Sequence, residues 1–68
     1  MKRVFLIKLN DFKQVIVVKQ DDESLFYKAK NHNLLRALEE CEAFLSNFPE
    51  IVWYFEESLD NYKKGRRN

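Results

Sequence analysis

The sequence predicts an α+β fold: a small three-stranded antiparallel sheet with one helix packed on one face, followed by a second helix. Three observations predict it. Two β-rich runs, Val4 to Leu9 and Phe12 to Lys19, are separated only by Asn10-Asp11. The stretch NLLRALEECEAFLSNF, from Asn33 to Phe48, carries Leu34, Leu35, Leu38, Cys41, Leu45 and Phe48 at the three- and four-residue spacing of a helical stripe. Beyond Pro49, Phe48, Val52, Phe55, Leu59 and Tyr62 extend that periodicity.

Asn and Asp tolerate the positive φ of a two-residue hairpin loop, so Asn10-Asp11 sets a register in which Leu9 faces Phe12 and Lys8 faces Lys13. Alternation then sorts Phe5, Ile7, Leu9, Phe12, Ile16 and Val18 toward the helix. The other face carries Val4, Leu6, Val15 and Val17, closed at each end by a lysine pair, Lys8 with Lys13 and Lys2 with Lys19. Asp21-Asp22-Glu23-Ser24 is a polar turn rather than a cation site, because its spacing matches no calcium loop and no glycine shapes it. Leu25 to Lys30 reads as the third strand, with Phe26, Lys28 and Lys30 on one side.

Asn31 or Asn33 caps the first helix by accepting from an N–H of its first turn. Arg36, Glu39, Glu40 and Glu42 cover its outer surface, and Ala37 and Phe44 flank the stripe. Pro49 suits the first turn of the second helix, and Gly65 would end it. The alternative over 50–57 is a fourth strand, since Ile51-Val52-Trp53-Tyr54-Phe55 is a strongly β-forming run. The domain spans 1–62, and the basic segment 63–68 reads as a mobile tail.

Sixty-eight residues lie near the lower limit for a core without staples, so self-association as a homodimer is a natural expectation. One cysteine excludes an intramolecular disulfide and any zinc site built on several cysteines. No signal-peptide pattern and no membrane-span-length apolar run is present, which points to a cytoplasmic protein without a membrane partner. The net charge of +1 is partitioned. Residues 1–36 hold eight Lys/Arg against four Asp/Glu, residues 37–62 hold seven carboxylates and no Lys or Arg, and residues 63–68 add four cations.

No catalytic, cofactor or metal site is legible. The single glycine excludes a glycine-rich phosphate loop. No serine sits in a nucleophile elbow, and the only histidine, His32, lacks neighbours at ligand or catalytic spacing. Cys41 lies on the apolar stripe and reads as a small core residue. The expected function is therefore non-enzymatic: a small protein-binding regulator or inhibitor that occludes a partner. Its surface would be the acidic, aromatic side of the second helix, with Glu50, Trp53, Tyr54, Glu56, Glu57 and Asp60. Such a compact chain without a site is similar in general profile to the short inhibitors that phages encode against host enzymes. The alternative is a nucleic-acid-binding protein. Its footprint would be Lys2, Lys8, Lys13, Lys19 and Lys28 on the sheet, Phe26 to stack, and Lys64, Arg66 and Arg67 in the tail.

Overall fold

The computed structural model describes residues 3–59. Five elements follow in order: β1 (Arg3–Leu9), β2 (Val15–Lys19), β3 (Leu25–Lys28), α1 (Leu34–Leu45) and β4 (Ile51–Phe55). They form a mixed four-stranded sheet in the order β3-β2-β1-β4, antiparallel except for the parallel pair β1/β4. The fold is α+β, as expected, but the sheet has a fourth strand where a second helix was the first reading. A parallel partner for β1 requires a crossover connection, and α1 supplies it.

The run at 51–55 is a strand because two periodicities compete there and the shorter one buries more. Ile51, Trp53 and Phe55 pack against the core cluster, while Val52 and Tyr54 fall on the opposite face. The helical spacing continues to Leu59, which is buried all the same, because a helical turn at 57–59 returns it to the core. Pro49 stands in the turn before β4 rather than in a helix, and Glu50 takes a φ of 63° there. The proposed continuation of a second helix to Tyr62, its end at Gly65 and the basic tail 63–68 lie outside the described residues.

The β1–β2 register also differs from the two-residue loop. Leu9 pairs with Val15, Lys8 with Ile16, Ile7 with Val17, Leu6 with Val18 and Phe5 with Lys19. The loop is Asp11-Phe12-Lys13. Asn10 N–H donates to the Gln14 carbonyl and Lys13 N–H to the Asn10 carbonyl, both at 3.0 Å. The Asn10 side-chain oxygen accepts from both Phe12 N–H and Gln14 N–H at 2.9 Å. Lys13 takes the positive φ, 62°, that the third loop position of such a hairpin demands. An odd shift in register moves every β2 side chain to the other face. Val15 and Val17, not Ile16 and Val18, therefore meet the helix, and Phe12 sits 82% exposed at the loop tip rather than in the core. Neither Lys13 nor Lys19 faces a lysine: Lys13 is in the loop and Lys19 is opposite Phe5.

β3 carries a bulge against β2. Val17 pairs with Tyr27 and Val18 with Leu25, leaving Phe26 as the extra residue. Phe26 consequently joins the helix side. Its ring stacks on Phe5 at 4.3 Å and meets Phe44 and Phe48 edge-on at 5.5 and 5.6 Å, while Tyr27 stacks on Phe44 at 4.0 Å. Phe44, which the stripe placed at its margin, shares the centre of this cluster with Phe26.

The helix begins as its cap residues dictate. Asn33 accepts from Arg36 N–H at 3.1 Å, and Asn31 in turn accepts from Asn33 N–H at 2.8 Å. Ala37, Leu38, Cys41 and Leu45 are its buried stripe, set on Phe5, Ile7, Val15 and Val17 with Ala29 and Leu59 at the margins. Glu40 is not a solvated charge. Its carboxylate accepts from the Tyr27 hydroxyl, from Lys30 N–H at 2.9 Å and from Asn31 N–H at 3.1 Å, which ties β3 and the following turn to the helix.

Candidate functional site

Among the described residues two surfaces combine apolar and charged side chains most fully once this core is closed; a smaller cleft lies at Arg3, Phe48, Pro49, Glu50 and Ile51. The first is the sheet face away from α1. Register places Val4, Leu6 and Lys8 of β1, Ile16 and Val18 of β2, Leu25 and Lys28 of β3, and Val52 and Tyr54 of β4 on it. None of these belongs to the core cluster, and no described element lies across them. Val18 is nonetheless 3% exposed, shielded at the middle of the face, whereas Leu25 and Tyr54 at its two sides are 62% and 55% exposed. Of its two lysines, Lys8 pairs with Glu23, Nζ to Oε1, at 3.2 Å.

β4 borders this face as a sheet edge. Glu56 N–H donates to the Ile7 carbonyl at 2.8 Å, which sets the phase of the parallel ladder. Residues 52, 54 and 56 bond to β1, and by alternation the main-chain groups of Ile51 and Trp53 point away from it. Glu50 precedes the strand and Glu56 follows it, so a carboxylate stands at each end.

The second surface is a cleft of about 640 Å³ between the β1–β2 loop, the end of β3 and the first turn of α1. Phe12, Lys13, Gln14, Lys28, Lys30 and His32 line it, with Val15, Ala29, Leu34 and Ala37 among its apolar walls. Lys13, Lys28 and Lys30 form no ion pair with a described residue. The first turn of α1 contains no acid.

The expected partner-binding residues are thus not brought together as one helical surface. Trp53 lies half-buried on the helix side, edge-on to Phe55 at 5.6 Å, while Tyr54 is on the open face. Glu50 and Glu56 flank β4, Glu57 opens the turn at 57–59, and Asp60 lies outside the described residues. The expected nucleic-acid footprint is divided as well. Phe26 is in the aromatic cluster, Lys8 is paired, Lys19 lies opposite Phe5, and Lys13 and Lys28 line the cleft. Lys2, Lys64, Arg66 and Arg67 lie outside the described residues. Sequence reasoning missed Phe12, Lys30 and His32 as neighbours. The available signal was an aromatic residue beside a loop lysine, hidden by the two-residue reading of that loop.

Among the described residues the clearest shifts belong to Cys41, Tyr27 and Glu40. Burial pushes the Cys41 thiol up to about 12, with the Glu40 and Glu42 charges adding to it, so the group stays a neutral thiol. The hydrogen bond to Glu40, joined by desolvation, raises the Tyr27 hydroxyl to about 12. The same bond, followed by the Lys30 N–H, lowers Glu40. Among the described residues no three His, Cys, Asp or Glu side chains gather to hold a metal ion, and no helix is long and apolar enough to cross a membrane. No protein-family model, curated protein or solved structure matches the chain.

Proposed function

We propose that this protein is a non-enzymatic protein-binding module, a small regulator or inhibitor that occludes its partner through the open sheet face and the bordering edge of β4. The observation that carries this reading is the apolar continuity of that face across all four strands. An antiparallel sheet that meets water on one side normally alternates apolar inside with polar outside. Here Val4, Leu6, Ile16, Val18, Val52 and Tyr54 occupy the outer positions. Large contiguous apolar patches on a folded surface mark interaction sites.

The occupant that fits is a protein segment in extended form. Ile51 and Trp53 offer outward main-chain groups for a further strand, and the apolar face beside them accommodates the alternate side chains of such a strand. Tyr54 stands between the edge and the face and is the natural anchor, since tyrosines are enriched among interface hot spots. The flanking Glu50 and Glu56 favour a partner strand with basic residues near its ends.

The test compares Tyr54→Lys and Leu25→Lys with the wild type, because both residues are exposed and neither supports the core. A bound protein partner should be released by both variants and retained by a Glu39→Gln control on the helix. In the complex, hydrogen exchange should slow at the Ile51 and Trp53 amides. Retention by both face variants, with unchanged exchange along β4, would remove this surface from the function. A concentration-dependent dimer that the same two variants split would make a second copy the occupant and end the regulator reading.

A further inference from the structure

The cleft at the other end of the sheet has a chemistry unlike that of the open face. Two chain segments that are distant in sequence bring cations there: Lys13 from the β1–β2 loop, and Lys28 and Lys30 from the end of β3 and the turn that follows it, while Leu34 and Ala37 of α1 close the cleft. Like charges gathered around one cleft repel each other; none of the three forms an ion pair with a described carboxylate, and the Glu40 charge attracts Lys30 alone from a longer range. Glu40, the acid closest to Lys30 in the hydrogen-bond network, has its carboxylate engaged by Tyr27 and two backbone N–H groups. The acid-free first turn of α1 adds its partial positive charge to the same wall.

On the cleft rim, Phe12 is 82% exposed, the most exposed of the large hydrophobic side chains named for this fold. The Asn10 side chain holds its loop by accepting from both Phe12 N–H and Gln14 N–H, so the ring is presented on an ordered support. An aromatic ring beside several cations is the pairing that binds a base and its phosphates together.

We propose that this cleft binds single-stranded nucleic acid, with Phe12 stacking on one base and Lys13, Lys28 and Lys30 holding the adjoining phosphates. The ligand is a strand rather than a free nucleotide because the cations stand on two separate segments around an open cleft. They do not converge on one buried phosphate pocket. The side-chain oxygens of Gln14 and Asn31 on its wall already accept from Asn10 and from Asn33 N–H, so they are not free to read a base edge. Binding is therefore tolerant of sequence. The site borders the open sheet face at Lys28, which belongs to both, and the proposal stands whether or not that face binds protein.

The test is fluorescence anisotropy of a labelled oligothymidylate of about ten nucleotides against the full chain at two salt concentrations. Wild-type binding should weaken as salt rises. Phe12→Ala should weaken it about five- to a hundred-fold, the range seen when a stacking aromatic is truncated. Lys13→Ala and Lys30→Ala should each reduce the slope of log affinity against log salt by roughly 0.7. Lys19→Ala, at the far end of β2, should leave both unchanged, and circular dichroism checks that each variant is folded.

Absence of wild-type binding at low salt would overturn the proposal. So would equal losses in Lys19→Ala, or a Phe12→Ala protein that binds as well as wild type, since either would describe non-specific attraction to a polyanion. Displacement of the oligonucleotide by a free mononucleotide at comparable concentration would also overturn it in favour of a nucleotide ligand. Tyr54→Lys and Leu25→Lys separate the two surfaces: they should abolish protein binding and leave oligonucleotide binding intact.

Discussion

The two faces of the sheet are equally apolar in sequence and opposite in circumstance. On one, Phe5, Ile7, Val15 and Val17 are sealed under Leu38, Cys41 and Leu45 of the helix. On the other, Val4, Leu6, Ile16 and Val52 meet no described element and are only partly buried. Strands built from uninterrupted Val, Ile, Leu and Phe runs cannot be assigned an inside and an outside by composition. The assignment comes from the turn that sets the register and from where the helix lands. The covered face holds the fold together, and on the open face only Val18, at its middle, is as deeply buried.

The largest expected effect tests that division. Leu38→Ala on the covered side should cost about 2–5 kcal/mol in urea unfolding, because a buried leucine loses both transfer energy and packing. Tyr54→Ala on the open side should change stability by less than about 0.5 kcal/mol. Comparable losses at the two positions would break the comparison and show that the open face is structural.

A smaller effect sharpens it at the margin of the covered layer, where Glu40 fastens β3 to α1. Glu40→Ala leaves the Tyr27 hydroxyl and the N–H groups of Lys30 and Asn31 without their acceptor and should cost about 1–2 kcal/mol, reduced by solvent access. The bond also has a pH signature. Glu40 is held below its ordinary 4.5, so its contribution is present above that value and disappears as pH falls through the lowered one. Tyr27 is raised from 10.0 to about 12, so its contribution is present below 10 and disappears as pH rises through 12. The stability difference between wild type and Glu40→Gln should therefore be flat at neutral pH and shrink toward both extremes. A difference that grows in acid would show that Glu40 is not held as a carboxylate.

The smallest effect concerns the turn into β4, which favours neither face. Glu50 takes a φ of 63°, a conformation that costs residues with a Cβ and not glycine. Glu50→Gly should stabilise the fold slightly, by about 0.5 kcal/mol, and raise the midpoint of thermal unfolding accordingly. A decrease would mean that the Glu50 side chain stabilises the turn more than its backbone strains it.

How much of this was legible varies with the range of the cause. The helix and its Asn33 cap depend on neighbouring residues, and both were readable. The hairpin was readable as a hairpin, but its loop length was not, because Lys13 occupies a position where glycine would have been the signal. That one loop decides the facing of all of β2. The nature of 51–55 was ambiguous in principle: the same residues satisfy period 2 and period 3.6, and only the free edge of β1 selects the strand. Phe26 illustrates the remaining gap, since a bulge redirected it from the lysine side to the aromatic cluster. Of the candidate sites, the cleft depended on three segments meeting, which no local pattern reveals.

The strand order has a consequence for how the protein is made. β1 lies between β2 and β4, and Arg3 pairs with Ile51, so the two are separated by 48 residues of chain. At about 5–20 residues per second on the ribosome, β1 waits on the order of several seconds for its second neighbour. Its hairpin with β2 can close long before that. Throughout the interval the growing chain carries a central strand with one edge unpaired, and any extended segment in reach competes with β4 for the place.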